Sequence, residues 1–160
     1  MPKFDQNVLI RIVGELRKSL QRLSVLSRVD EGLFVTDADK VASAKYHFIV
    51  AIEACIDFCN HVISRNGLRI PEDYGDTFRV MAEVGALPPE FAEELVSMGK
   101  FRNRLVHLYW EVDDAQVHQL LRSRLSDFYR FLRAMAEYLG LSEIGEHTSE
   151  LQSQFRISYA

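Results

Sequence analysis

Cysteine is scarce: Cys55 and Cys59 are the only two in 160 residues. They stand four apart in a strongly helical segment, where side chains lie one above the other and a structural disulfide is badly placed. Two buried free thiols are expected instead. No apolar run approaches the ~20 residues that span a bilayer, and the N-terminal MPKFDQNVLIRIV has no signal-peptide form. The expectation is a cytoplasmic chain without a membrane segment. Positive charge is also in short supply. A formal net charge of -4 excludes a protein that coats nucleic acid by bulk electrostatics, so any contact with phosphates must be focused at a local site. Neither strand-like alternation nor an internal repeat is visible.

What the chain does have is helical periodicity and, at 48% hydrophobic and 26% charged residues, enough apolar material for one compact domain with a core. Leu9, Ile12, Leu16, Leu20 and Leu23 mark one face of a first helix, which ends before the acidic stretch VDEGLFVTDAD. The longest helix is expected from about Asp39 to Asn66, with Val41, Phe48, Ile52, Cys55, Cys59 and Val62 on one arc and Gly67 as its cap. RIPEDYG leads into a short helix near Thr77 to Val84, closed by Gly85. Pro88 and Pro89 begin a fourth, with Glu90 and Glu93 at its positive end. Asp113 and Gln116 have the spacing of a capping box for a last helix, buried through Val117, Leu121, Phe128, Leu132, Met135 and Leu139. The predicted fold is all-α, an antiparallel bundle of four long helices plus one short helix.

The C-terminus breaks the pattern. GEHTSELQSQFRISYA has no helical apolar period, and EHTSELQS resembles a translated sequencing-library adapter. Residues 1–143 are therefore read as the helical domain. Residues 144–160 are read as an adapter-derived tail, with a genuine disordered tail as the competing reading.

Two polar constellations stand out. On the long helix, Tyr46, Glu53, Asp57, Asn60, His61 and Ser64 cluster opposite the apolar stripe. A solvated face is the plain interpretation. Against it, Glu53 and Asp57 are like charges four apart, which disfavours an exposed helix unless a cation lies nearby. His61, one turn on from Asp57, could be that cation or could be oriented by the carboxylate. The second constellation is FRNRLVHLYWEVD, residues 101–113, with Arg102, Asn103, Arg104, His107, Tyr109 and Trp110. Residues five apart on a helix point about 140° away from each other, so Arg102 and His107 are expected to converge only if the helix ends between them. An arginine for phosphate and a histidine for proton transfer near neutrality could then run phosphodiester chemistry without a metal. The alternative is a structural helix end, with Trp110 packed into the core and His107 capping a carbonyl.

The stretch F-R-N-R-L-V-H-L-Y-W carries an R-x-x-x-x-H-x-Y pattern, and the region from IEACIDFCNHVISRNG through FRNRLVHLYWEVD resembles, in order and spacing, the central region of one known family. In these features the chain resembles the HepT-like proteins, HEPN-superfamily toxins of HepT/MntA toxin-antitoxin pairs, over roughly residues 5 to 142. The resemblance implies an endoribonuclease toxin acting on an RNA substrate, tRNA or mRNA, with no metal or cofactor. It implies a homodimer whose two motifs share a cleft. It also implies a minimal nucleotidyltransferase antitoxin that adenylylates the motif tyrosine. Carried over residue by residue, Arg102 and His107 would be catalytic and Tyr109 the modified residue. Asn103 would orient the histidine or a phosphate oxygen, with Glu53, Asp57, His61 and Tyr46 in support. A non-catalytic helical module that docks the nucleotidyltransferase and a purely structural dimer are the other classes of function the residues allow.

Overall fold

The computed structural model describes residues 1–141. The helices are α1 (Gln6–Ser27), α2 (Glu31–Val35), α3 (Ala38–Arg65), α4 (Tyr74–Glu83), α5 (Pro89–His107), α6 (Asp114–Ser123) and α7 (Leu125–Tyr138), with a 3-10 turn at Tyr109–Glu111 between α5 and α6. The described residues contain no strand, so the all-α bundle stands. The reading of residues 144–160 as a tail lies outside the described residues.

Aspartate starts most of these helices. Asp5, Asp30, Asp37, Asp73 and Asp113 each accept first-turn backbone N–H groups of α1, α2, α3, α4 and α6, a cap that contributes about 1 kcal/mol. α5 instead begins on Pro89, whose missing N–H costs nothing at that position. The expected core stripe of α3 is buried throughout, from Val41 to Val62. By length and composition α3 would suffice to cross a membrane, yet 56% of that apolar stretch is buried inside the bundle, with α1 along it. Cys55 and Cys59 are free and buried, and burial pushes both thiols up and out of reactive range.

Three expectations about elements are corrected. The stretch VDEGLFVTDAD is not simply a connection. Once Asp30 caps its N–H groups, Phe34 becomes fully buried and the segment closes into α2. The last helix is two: Arg124 leaves helical geometry at φ -119°, ψ -2° and separates α6 from α7, while the predicted apolar stripe continues across the break. The reciprocal capping box does not form either. Asp113 caps Ala115 alone, and Gln116 faces a groove between α5 and α6 instead.

The packing of α4 on α5 matters most for the site. A Cβ added to Gly99 would lie 3.4 Å from the Gly75 backbone N and 3.5 Å from its Cα, so two glycines set the close approach of these helices. That approach brings Tyr74, at the start of α4, against the last turns of α5. A clasp holds α4 from the other side: Arg69 donates to both Asp76 oxygens at 2.7 and 3.1 Å and to Glu83 at 2.7 Å, while the Glu72 N–H donates to Asp76. These donors, Arg69 first, hold the Asp76 carboxyl down at about 2. A depressed carboxylate stabilises the fold at pH values above its unfolded range and loses that contribution as pH falls through the folded value. The melting temperature should therefore drop between about pH 4 and pH 2, and Asp76→Asn should flatten that drop. Parallel pH profiles of the two proteins in thermal melts would contradict it.

Candidate active site

α5 does not end between Arg102 and His107, as convergence seemed to require. Its ladder runs on through His107, and the Leu108 N–H donates to the Arg104 carbonyl at 2.8 Å before the backbone turns away at φ -132°. The two side chains leave the helix on different sides, and the contacts that hold Arg102, chiefly tertiary ones, do not include His107. Arg102 is largely buried. It donates from Nε and Nη2 to Glu53 Oε2 at 3.0 and 2.6 Å, and from Nη1 to Asn103 Oδ1 at 3.0 Å, while its guanidinium carbon lies 4.6 Å from the Tyr74 ring centroid. Asn103 and Tyr74 then line an open groove of about 490 Å³ together with His107 and Asn60. Arg102 is not among the lining residues; it is fixed behind Asn103 and Tyr74, two that are, while His107 lines the groove itself. His107 is exposed, not buried among apolar groups.

The polar arc of α3 divides between several neighbours. Glu53 holds Arg102, and Asn60 lines the His107 groove. Asp57 lines a different groove with Glu53 and Arg11 of α1, and burial, reinforced by Glu53, raises its carboxyl. His61 is not the cation that relieves the two acids. Its Nε2 accepts the Asp5 backbone N–H at 2.8 Å, which requires that nitrogen to be unprotonated, and burial with Arg65 nearby lowers its proton affinity. The imidazole anchors the N-terminal segment to α3. Tyr46 is exposed and meets the edge of the His47 ring.

Beyond His107, the 3-10 turn presents Tyr109 and Trp110. Trp110 is 77% exposed, so the idea that it packs the core is wrong. Together with Val106, Leu108 and Tyr109, each 40–41% exposed, it makes an apolar patch around the motif.

Lys45 is the residue that spacing missed. It is 4% exposed, and its ammonium donates to the Tyr109 carbonyl at 3.2 Å, pairs with Asp114 at 3.3 Å and lies 4.2 Å from the Tyr109 ring centroid. A buried ammonium is costly unless partnered. Here its partners are the turn that follows the motif and the start of α6, so Lys45 fixes how Tyr109 is held. The signal was present in the sequence: a lysine on the buried register of α3, between Val41 and Phe48.

The architecture is thus an all-α bundle with Asn103 and His107 lining one groove, an arginine held behind Asn103 and a tyrosine just beyond the histidine. The family model for "Ribonuclease HepT-like" proteins matches residues 16–135. The chain belongs to that family. The mRNA nuclease HepT of Shewanella oneidensis is 25% identical over 126 residues, 79% of this chain and 94% of that protein. The tRNA nuclease HepT of Aphanizomenon flos-aquae is 31% identical over 90 residues, 54% of this chain and 59% of that one. Among solved structures, the tri-AMPylated Shewanella oneidensis HEPN toxin in complex with its MNT antitoxin superposes with a TM-score of 0.75 at 25% identity, covering 81% of this chain and 97% of that one.

Proposed function

We propose that this chain is the endoribonuclease toxin of a cytoplasmic toxin-antitoxin pair, with its active site in the His107 groove, and that a minimal nucleotidyltransferase antitoxin neutralises it by adenylylating Tyr109. The observation that supports this most is the division of labour at the groove. Behind one wall, at Asn103 and Tyr74, a guanidinium is fixed by Glu53, Asn103 and Tyr74, and an unengaged imidazole from the same helix lines the groove. The relatives act as mRNA and tRNA nucleases, and one is AMPylated in complex with its antitoxin.

In this mechanism His107 removes the proton from an RNA 2′-hydroxyl. The 2′-oxygen attacks the adjacent phosphorus, the bond to the 5′-oxygen breaks, and the departing alkoxide takes a proton, leaving a 2′,3′-cyclic phosphate. Three of the five N–H groups of Arg102 are already engaged, which leaves two for a phosphate oxygen. A cation held this way stabilises developing charge without rearranging during the step. Glu53 and Tyr74 are positioning residues, because they touch the arginine and not the RNA.

The outward aim of His107 and the apolar patch beside it favour a homodimer. A second copy would cover Val106, Leu108 and Trp110 and set its own Arg102 and His107 against the same RNA strand. Expression of the chain alone in a cell should arrest growth, and the His107→Ala chain should not. Equal growth with both would favour the docking-module function instead.

A further inference from the structure

α5 shows solvent more than its catalytic end. Lys100, Arg104 and His107 are exposed and, at about 100° per residue, fall within about 60° of one another on a single face. The acids further up the helix are occupied: Arg79 holds Glu93 at 2.8 Å, and Arg130 reaches Glu94 at 3.3 Å. Lys100 and Arg104 have no ion pair among the described residues. In a chain of net charge -4, these two cations on the face of the proposed base, Lys100 also near enough to Glu93 to help lower its carboxyl, form the focused site that phosphate binding requires.

Both cations also rim a cavity of about 340 Å³ between α5 and the α6–α7 break. Its floor includes Phe101, whose ring is held edge-on by Phe48 at a centroid distance of 5.7 Å, and its walls include the amide of Gln116 and the hydroxyl of Ser97, which donates to the Glu93 carbonyl at 3.4 Å and keeps its oxygen as an acceptor. The two rim carboxylates do not oppose an anion at full strength. Glu94 is paired with Arg130, and Asp127 lies 3.6 Å from Arg124 and 3.9 Å from Arg130. Arg104 and Lys100 stand about 4.5 and 10.5 Å back from His107 along the helix axis. An apolar and aromatic floor, polar groups at base-edge height and cations at the rim match one ligand, a nucleotide unit with a flat base and a charged backbone.

We propose that this cavity is a nucleotide subsite, in which a base flanking the cleavage position of the RNA inserts over Phe101 while Lys100 and Arg104 hold its backbone phosphates. The proposal rests on RNA binding at the His107 groove. It makes the cavity the place where sequence preference is read, since Ser97 and Gln116 are the groups that meet base edges.

The test is fluorescence anisotropy with a short, labelled, fully 2′-O-methylated RNA, which lacks the attacking hydroxyl, titrated across potassium chloride concentrations. Lys100→Gln and Arg104→Gln should each reduce the salt slope of binding by about 0.7, and the double variant by about 1.4. Ser97→Trp, at an exposed rim position, should weaken binding several-fold and leave the slope unchanged, because it blocks the base and not the phosphates. If wild type binds with a salt-dependent slope and the double variant matches it, the subsite is overturned. If the double variant keeps RNA binding and loses its complex with the nucleotidyltransferase, the face is a protein-docking surface and the subsite is again overturned. If wild type binds no RNA at any salt concentration, the ribonuclease function fails, and the subsite with it. Equal melting temperatures for all variants establish that the comparison is between folded proteins.

Discussion

Replacing His107 by alanine is expected to lower RNA cleavage by about 10²–10⁴-fold, the usual contribution of a positioned general base. His107 is the exposed imidazole of the groove, and no other imidazole lines that groove. Among the remaining described histidines, His61 is held by the Asp5 N–H, His118 by the Val29 carbonyl, and His47 by Ser19. The folded state should be nearly indifferent to the change, because the side chain is exposed. Arg102→Lys should be almost as harmful to cleavage although it keeps the charge. A point ammonium cannot donate to Glu53 twice, reach Asn103 and still offer two donors to phosphate. Single-turnover cleavage with enzyme in excess, beside thermal melts of the same preparations, decides it. Activity within a few-fold of wild type for His107→Ala would remove the imidazole from the mechanism.

Tyr109→Phe should separate enzyme from regulation. Its hydroxyl is the proposed acceptor: Oη attacks the α-phosphorus of ATP, the bond to pyrophosphate breaks, and the phenolic proton passes to solvent. The product places a phosphate charge and a nucleotide's bulk two residues beyond His107, where it obstructs RNA sterically and competes for nearby cations. Phenylalanine keeps the ring over Lys45, so the turn should stay in place. The variant is expected to retain most of its cleavage and to escape neutralisation by the nucleotidyltransferase with ATP. Intact-mass spectrometry should find added AMP on wild type and none on Tyr109→Phe. A mass shift that persists in the variant would move the modification to another residue.

Much of the fold was legible because its signals are local. The Pro-Pro start of α5 and a 3.6-residue apolar period are written within a few residues of where they act; the aspartate caps Asp5 and Asp37 are equally local but are not among the caps read from the sequence. The break at Arg124 was not legible, since the apolar stripe passes through it without interruption. The motif lies at the end of α5, yet spacing misrepresented how its parts are held. It demanded a helix break between Arg102 and His107. No such break exists; the structure fixes Arg102 through Glu53 from α3 and Tyr74 from α4, the latter brought in by the Gly75–Gly99 approach. Contacts across 49 residues of sequence leave no mark in a local pattern. For the same reason His61 looked like a partner for Asp57, when its partner is a backbone N–H 56 residues away.

The most direct test of the central claim is the chemistry at the cut. Purified chain should be incubated with an RNA it cleaves, in the presence of a chelator, and the fragment ends identified by mass spectrometry, alongside the same RNA with a single 2′-deoxy nucleotide at the cleavage position. The account predicts fragments ending in a 2′,3′-cyclic phosphate, unaffected by the chelator, and loss of that one cut in the deoxy substrate. Fragments ending in a 3′-hydroxyl, or continued cutting at the deoxy position, would contradict it, because neither is compatible with His107 drawing a proton from the 2′-oxygen.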